Sequence, residues 1–155
     1  MACRYDLALQ LDDRHRVYLV RPPIDVDSIA RPMAVDMGAG MRLRGYDVNA
    51  VAPAPGQRID LTLYWEAVEP PSADLTVFVH LADGRENTIA QHDGVPRGGA
   101  CPTWIWQPGE IIVDQHSLDV EHMGAGAPFT LYAGLYDRRT GQRTPSGRVM
   151  LTHLP

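Results

Sequence analysis

Lysine is absent from this 155-residue chain, so all 14 of its fixed cations are arginines. The formal charge is −5. That leaves no basic surplus to neutralise a phosphate backbone, and nucleic acid is excluded as an expected partner. Long apolar runs are missing too, since none approaches the ~18 residues that a membrane span requires. The N-terminal MACRYDLALQL has no basic stretch followed by an apolar segment, so it does not read as a signal peptide. Cysteine occurs only at Cys3 and Cys101, far apart and outside any C-x-x-C pattern. These two are read as unconnected thiols, with a single disulfide left open.

Several chemical signatures are lacking as well. Six histidines are present, but neither H-x-H nor H-E-x-x-H occurs, which argues against a metal or other cofactor. No G-x-S-x-G is found, and the serines at 28, 72, 117 and 146 sit in no nucleophile turn. The glycine pairs at 38–40, 97–99 and 124–126 match no phosphate-binding loop. Asp93 and Asp114 are the only pair singled out for glycoside cleavage, and acids that simply face water are far commoner. No enzyme class gains support, and the expectation is a protein without catalytic activity.

What is present is period-two alternation, which sets apolar side chains on one face of a strand. Ile59, Leu61, Leu63, Trp65 and Ala67 alternate with Asp60, Thr62, Tyr64 and Glu66, and Trp65 is placed in the core. Tyr5, Leu7, Leu9 and Leu11 alternate similarly, and a turn at Asp12-Asp13 returns the chain as HRVYLV. Further strands are expected at 41–48, 75–83, 88–92, 111–120, 129–137 and 148–154. Turn chemistry such as PAPGQ, EPPSAD, ADGRE and RTGQR separates them. About nine short strands with no helical spacing predict an all-β, antiparallel two-sheet sandwich, immunoglobulin-like or jelly-roll in path. Residues 1–155 form one domain: an N-terminal hairpin over 1–20, an irregular connection over 21–40 and the main sandwich over 41–155. A single helical turn is expected near Asp25 to Ile29.

Most of the functional question falls on QHDGVPRGGACPTWIWQPGE, residues 91–110. Prolines at 96, 102 and 108 preset φ and remove donors, so the stretch is no central strand. It reads as a stiff corner between two sheets that also lines a shallow surface. If extended, it points Trp104 and Trp106 to one face. In IIVDQHSLDV the apolar parity changes between Val113 and Leu118, which predicts a β-bulge re-aiming Asp114 and His116. Tyr64, Tyr132 and Tyr136 are expected opposite the apolar stripes. His80, His92, Asp93, Trp104, Asp114 and His116 are the candidate ligand-binding residues, with aromatic rings to stack on sugars and polar groups to bond hydroxyls.

The ordered set LRGYDV, LTLYWEAV, TVFVHLAD, QHDGVPRGG, PTWIWQPGE, VDQH and GLYDRRTGQR covers about Ile29 to Arg143. It resembles a β-sandwich module at the C-terminal, extracytoplasmic end of bacterial membrane glycosyltransferase-like proteins of the dolichyl-phosphate-mannose type. That resemblance implies a sandwich fold, a cell-envelope setting, and a glycan or a membrane glycosyltransferase as partner. The expected function is therefore a non-catalytic accessory module that binds a glycan. The alternative is a structural or interaction module that docks through an apolar patch.

Overall fold

The computed structural model describes Cys3, residues 5–49 and residues 52–155; side chains of residues 5–8 lie outside the description, and with them the alternation expected at Tyr5 and Leu7. Ten strands are formed: β1 (Tyr5–Gln10), β2 (Arg16–Val20), β3 (Arg31–Gly38), β4 (Met41–Val48), β5 (Arg58–Ala67), β6 (Leu75–Ala82), β7 (Thr88–Gly94), β8 (Ile111–Asp119), β9 (Phe129–Asp137) and β10 (Arg143–Leu154). Two four-stranded antiparallel sheets, ordered β10-β9-β6-β7 and β3-β4-β5-β8, close over one core, while β1 and β2 pair only with each other. The sandwich is thus the fold that the alternation predicts. Its path is immunoglobulin-like: consecutive strands β3, β4 and β5 stay in one sheet, and the chain crosses between sheets at β5–β6, β7–β8 and β8–β9. A jelly roll would send successive strands to alternate sheets.

The core follows from parity. Ile59, Leu61, Leu63, Trp65 and Ala67 from β5 face Leu75, Val77, Val79 and Leu81 from β6 and Leu131, Ala133 and Leu135 from β9, all at 1% exposure or less. Each leucine-sized side chain buried this way contributes roughly 1.5–3 kcal/mol.

Three expectations are corrected here. Residues 21–40 are not wholly irregular, because β3 occupies Arg31–Gly38 and pairs with β4. Pro32 can sit in β3 because β3 is an edge strand, where a missing donor costs the ladder little. The expected helical turn is present as a 3₁₀ turn at Val26–Ser28, capped by the Asp25 side chain, which accepts from Asp27 N at 3.0 Å.

The bulge predicted in β8 is absent: β8 pairs with β5 in unbroken register from Ile111↔Glu66 to Asp119↔Arg58. Ile112, Asp114, His116 and Leu118 all point inward. Two polar residues on the inner face had mimicked a change of parity. The real parity change lies in β4, where Met41 and Leu43 point inward and then Tyr46 does, across a register shift at Gly45. Gly45 has φ +150°, and a β-carbon there would meet Arg31 O and Ile29 Cγ2 at about 2.5 and 2.6 Å. Tyr46 is thereby turned in to donate to Leu151 O at 2.7 Å.

The third correction concerns the thiols. Cys3 and Cys101 form a disulfide, with Cα atoms 5.5 Å apart. Their 98-residue separation hid the pairing from sequence, because only the folded crossing brings them together.

The end of β6 is pinned by Asp83, a buried carboxylate. It accepts backbone N–H bonds from Arg85 and Asn87 in its own turn, both at 2.9 Å, and from Ala125 in the β8–β9 loop at 2.7 Å. Those donors, Ala125 foremost, hold its pKa down at about 2 against an ordinary 3.8. A folded-state pKa below the unfolded one adds stability above the ordinary value, which is lost as pH falls through the folded value. Asp83→Asn is therefore expected to melt lower than wild type at pH 7. The gap should close as pH is taken from about 4 to about 2, which thermal unfolding at stepped pH measures.

Candidate functional site

The crossing from β7 to β8 carries the chain from one sheet to the other, as the prolines predict. It is not extended. A kinked turn over Pro96–Gly99 and a 3₁₀ turn at Thr103–Ile105 fold it tightly. Thr103 Oγ1 accepts from Leu75 N at 2.8 Å and donates to Ala73 O at 3.0 Å, fixing the crossing to the start of β6. The turn at 103–105 also separates the two tryptophans that an extended strand would have kept together. Trp106 is buried at 1% exposure with Nε1 donating to Cys101 O at 3.0 Å, whereas Trp104 is 67% exposed.

The six candidate residues divide three ways. His92, Asp114 and His116 form a chain where β7 and β8, the edges of the two sheets, come together. His116 Nε2 donates to Asp114 Oδ2 at 2.7 Å, and His116 Nδ1 lies 2.8 Å from His92 Nδ1. Asp114 Oδ1 accepts from Arg97 N at 2.7 Å. Arg97 there has φ 57°, an uncommon left-handed conformation for a non-glycine residue, and this bond helps hold it. Asp114 and His116 are buried, whereas His92 is exposed. Since one proton fits between the two Nδ1 atoms, the contact needs one ring to donate and the other to accept.

His80 and Asp93 lie elsewhere, on the outer face of the β10-β9-β6-β7 sheet. Neighbouring residues of a strand point to opposite faces, so Asp93 faces out while His92 faces His116. His80 Nε2 is 4.0 Å from Asp93 Oδ1. The two border a cleft of about 200 Å³ completed by Phe78, Tyr136, Gly141 and Arg143. Trp104 lines neither this cleft nor the larger one described below. Asp93 and Asp114 do not face each other across a cleft, so the paired-carboxylate arrangement is not made.

Phe78 is the floor of the cleft. It stands 4.9 Å from the His80 ring and 6.3 Å from the Tyr136 ring. The Arg143 guanidinium lies 4.7 Å over its face. Gly134, its partner on β9, leaves the room, because a β-carbon there would collide with the Phe78 ring. Burial lowers the His80 pKa, and Arg143 and Arg148 add to the effect against Asp93. A neutral imidazole both donates and accepts, which suits a hydroxyl. Burial, and then Asp93, raises the Tyr136 pKa, keeping a hydroxyl donor in place.

Tyr136 lies opposite the apolar stripe, as its parity predicts, while Phe78 and Arg143 were missed. Phe78 had a signal in sequence: in TVFVHLAD it shares parity with His80 and not with Val77 and Val79. Arg143 had none, since its approach depends on the β9–β10 pairing.

A larger cleft of about 400 Å³ lies beside the disulfide, between residues 20–24 and the start of β8. Its lining among the described residues is mainly aliphatic and proline, with no aromatic ring. Among the described residues no cluster of three or more His, Cys, Asp or Glu is placed to hold a metal. No helix of the described residues is long and apolar enough to cross a membrane.

The chain matches no protein-family profile and no curated protein sequence. Among solved structures it is similar to one described as the C-terminal domain of Wzt. The TM-score is 0.58 at 13% identity, over 85% of this chain and 89% of that one. This overturns the resemblance to the C-terminal module of membrane glycosyltransferase-like proteins, and the transferase partner and cell-envelope setting no longer draw support from it. The stretches that suggested it are the strands and hairpins of the sandwich itself: LTLYWEAV runs along β5, TVFVHLAD along β6, and GLYDRRTGQR is the β9–β10 hairpin. Alternation and turn chemistry of this kind recur wherever strands of these lengths follow this order. At 13% identity, what the chain shares with the Wzt domain is the fold.

Proposed function

We propose that the chain is a non-catalytic accessory module that binds a glycan on the outer face of its β10-β9-β6-β7 sheet. The observation that carries this reading is the convergence of Phe78, His80, Asp93, Tyr136 and Arg143, from four strands, on one solvent-open cleft. Sugars are recognised by planar groups flanked by hydrogen-bonding side chains, and this cleft offers both. It has no serine or cysteine to act as a nucleophile. Likeness in fold to a domain at one end of a larger protein fits an accessory role.

Titration against a panel of neutral and acidic oligosaccharides, followed by nuclear magnetic resonance of the His80 and Tyr136 rings, tests the reading. Asp93→Ala is expected to weaken binding about tenfold or more, since a hydrogen bond to a charged group contributes about 1.5 kcal/mol or more. Arg58→Ala, on the other sheet, should leave binding unchanged. If the whole panel leaves both rings unmoved, the reading is wrong.

A second reading, an interaction module, has one observation in its favour. Leu9, Leu11, Val17, Leu19 and Val20 of the N-terminal hairpin are 45–64% exposed, an apolar surface of the kind that marks contact sites. Light scattering across a concentration series decides whether this hairpin self-associates, and Leu9→Ser with Leu19→Ser should then restore the monomer.

A further inference from the structure

The proposed cleft holds an arginine with no carboxylate paired to it among the described residues, and its ligand follows from that. Two arginine–aromatic stacks stand side by side on the outer face. In one, Arg148 lies 4.0 Å over Tyr132 and its Nη2 is 2.6 Å from Glu86 Oε2. That cation is already matched by a carboxylate. In the other, Arg143 lies over Phe78, and among the described residues no carboxylate is within ion-pair distance of it.

Asp93 is the carboxylate that shares the cleft with it, being the cross-strand partner of Phe78. Yet it lies toward His80, 4.0 Å from His80 Nε2, and near Tyr136. Arg143 and Asp93 thus approach the same ring from strands at the two sides of the sheet without pairing, and the gap between them is the cleft. The rim is rich in cations. Arg138, Arg139 and Arg143 stand within six residues of the β9–β10 hairpin. Its one acid, Asp137, is occupied with the backbone N–H groups of Arg139 and Thr140, at 2.7 and 3.2 Å. A guanidinium propped on an aromatic face keeps its edge donors directed outward in a fixed fork, which matches a carboxylate or phosphate better than a lone hydroxyl.

We infer that the cleft selects an anionic saccharide, with the acid group on Arg143 and ring hydroxyls facing Asp93 and His80. This rests on the glycan reading above and narrows it. A sugar acid meets both walls at once: it brings acceptors to the arginine and donors to the aspartate.

The test uses the full chain and matched pairs of probes. Oligogalacturonate, oligoglucuronate and oligomannuronate are each compared with their carboxyl-reduced neutral forms, and mannose 6-phosphate is compared with mannose. At least one acidic member should bind ten times more tightly than its neutral match, and rising salt should erode that advantage. Arg143→Gln should abolish the difference and Arg143→Lys should restore part of it, with thermal unfolding confirming that both fold. If Arg143→Gln fails to fold, the matched pairs and the salt series on wild type decide the matter alone. A preference confined to mannose 6-phosphate would put phosphate rather than carboxylate on Arg143. Equal binding of acidic and reduced members overturns the anion assignment and leaves glycan binding standing. Silence from every probe overturns glycan binding itself.

Discussion

Asp114→Ala is expected to destabilise the sandwich by about 3 kcal/mol, through two donors that it would strand. The carboxylate receives His116 Nε2–H on one oxygen and Arg97 N–H on the other, and Asp114 and His116 are 1% and 3% exposed. Water does not replace a partner at such depth, and each stranded donor costs about 1–3 kcal/mol. The loss would spread along the chain of contacts. Without its anchor, His116 no longer keeps Nδ1 fixed toward His92, and Arg97 loses the bond that offsets its left-handed backbone. Asp114→Asn keeps the volume and one acceptor, so its cost should be about half as large. Urea unfolding at neutral pH measures both. A change below about 1 kcal/mol for the alanine variant would mean that the network is not formed in solution.

The same residues show where sequence was a good guide and where it was not. β5 could be read directly, because Ile59 to Ala67 keep one parity and every outward position is polar or a tyrosine. β8 misled for the opposite reason. Asp114 and His116 occupy inward positions, and a polar residue facing a core is indistinguishable from one facing water until its partner is known. Those partners, Arg97 N–H and His92, come from β7 and the crossing, so no local pattern reveals them. β3 was hidden by proline punctuation that an edge strand tolerates.

The candidate site was half legible. His80 and Asp93 were both named as polar candidates, and they border one cleft. His92 and His116 meet as well, but in a different place, since one step along β7 reverses the face. The floor and the cation were missed: Phe78 looks like core by composition although its parity is that of His80, and Arg143 joins it only through pairing of β10 with β9 and β9 with β6. Trp104 was grouped with Trp106 on the assumption of an extended chain, and one 3₁₀ turn sends one to solvent and the other into the core.

Opening the Cys3–Cys101 bond should have the other large effect, a loss of about 2–4 kcal/mol. The bond spans 98 residues, and loop-entropy reasoning assigns a cross-link of that span a cost to the unfolded chain at the upper end of the usual range. Here it also holds together parts that little else joins. β1 and β2 hydrogen-bond only to each other as strands, so the hairpin's main covalent hold on the sandwich, apart from the chain after Val20, is Cys3. Arg97 supports the same point, its Nη1 donating to Cys3 O at 2.7 Å. For a domain of this size, 1 kcal/mol corresponds to about 2–4 °C, so reduction should lower the melting temperature by roughly 5–15 °C. Cys3→Ser with Cys101→Ser should reproduce that value without reductant and show no further change when reductant is added. The loss should not touch the outer-face cleft, which is built from β6, β7, β9, Gly141 and the start of β10 and shares no residue with the larger cleft at the staple. Ligand binding that survives reduction, with the melting temperature lowered, would separate the two. An unchanged melting temperature in reductant would show that the bond makes no contribution in solution. A fall in binding equal to the fall in stability would show that the staple and the cleft are one cooperative unit.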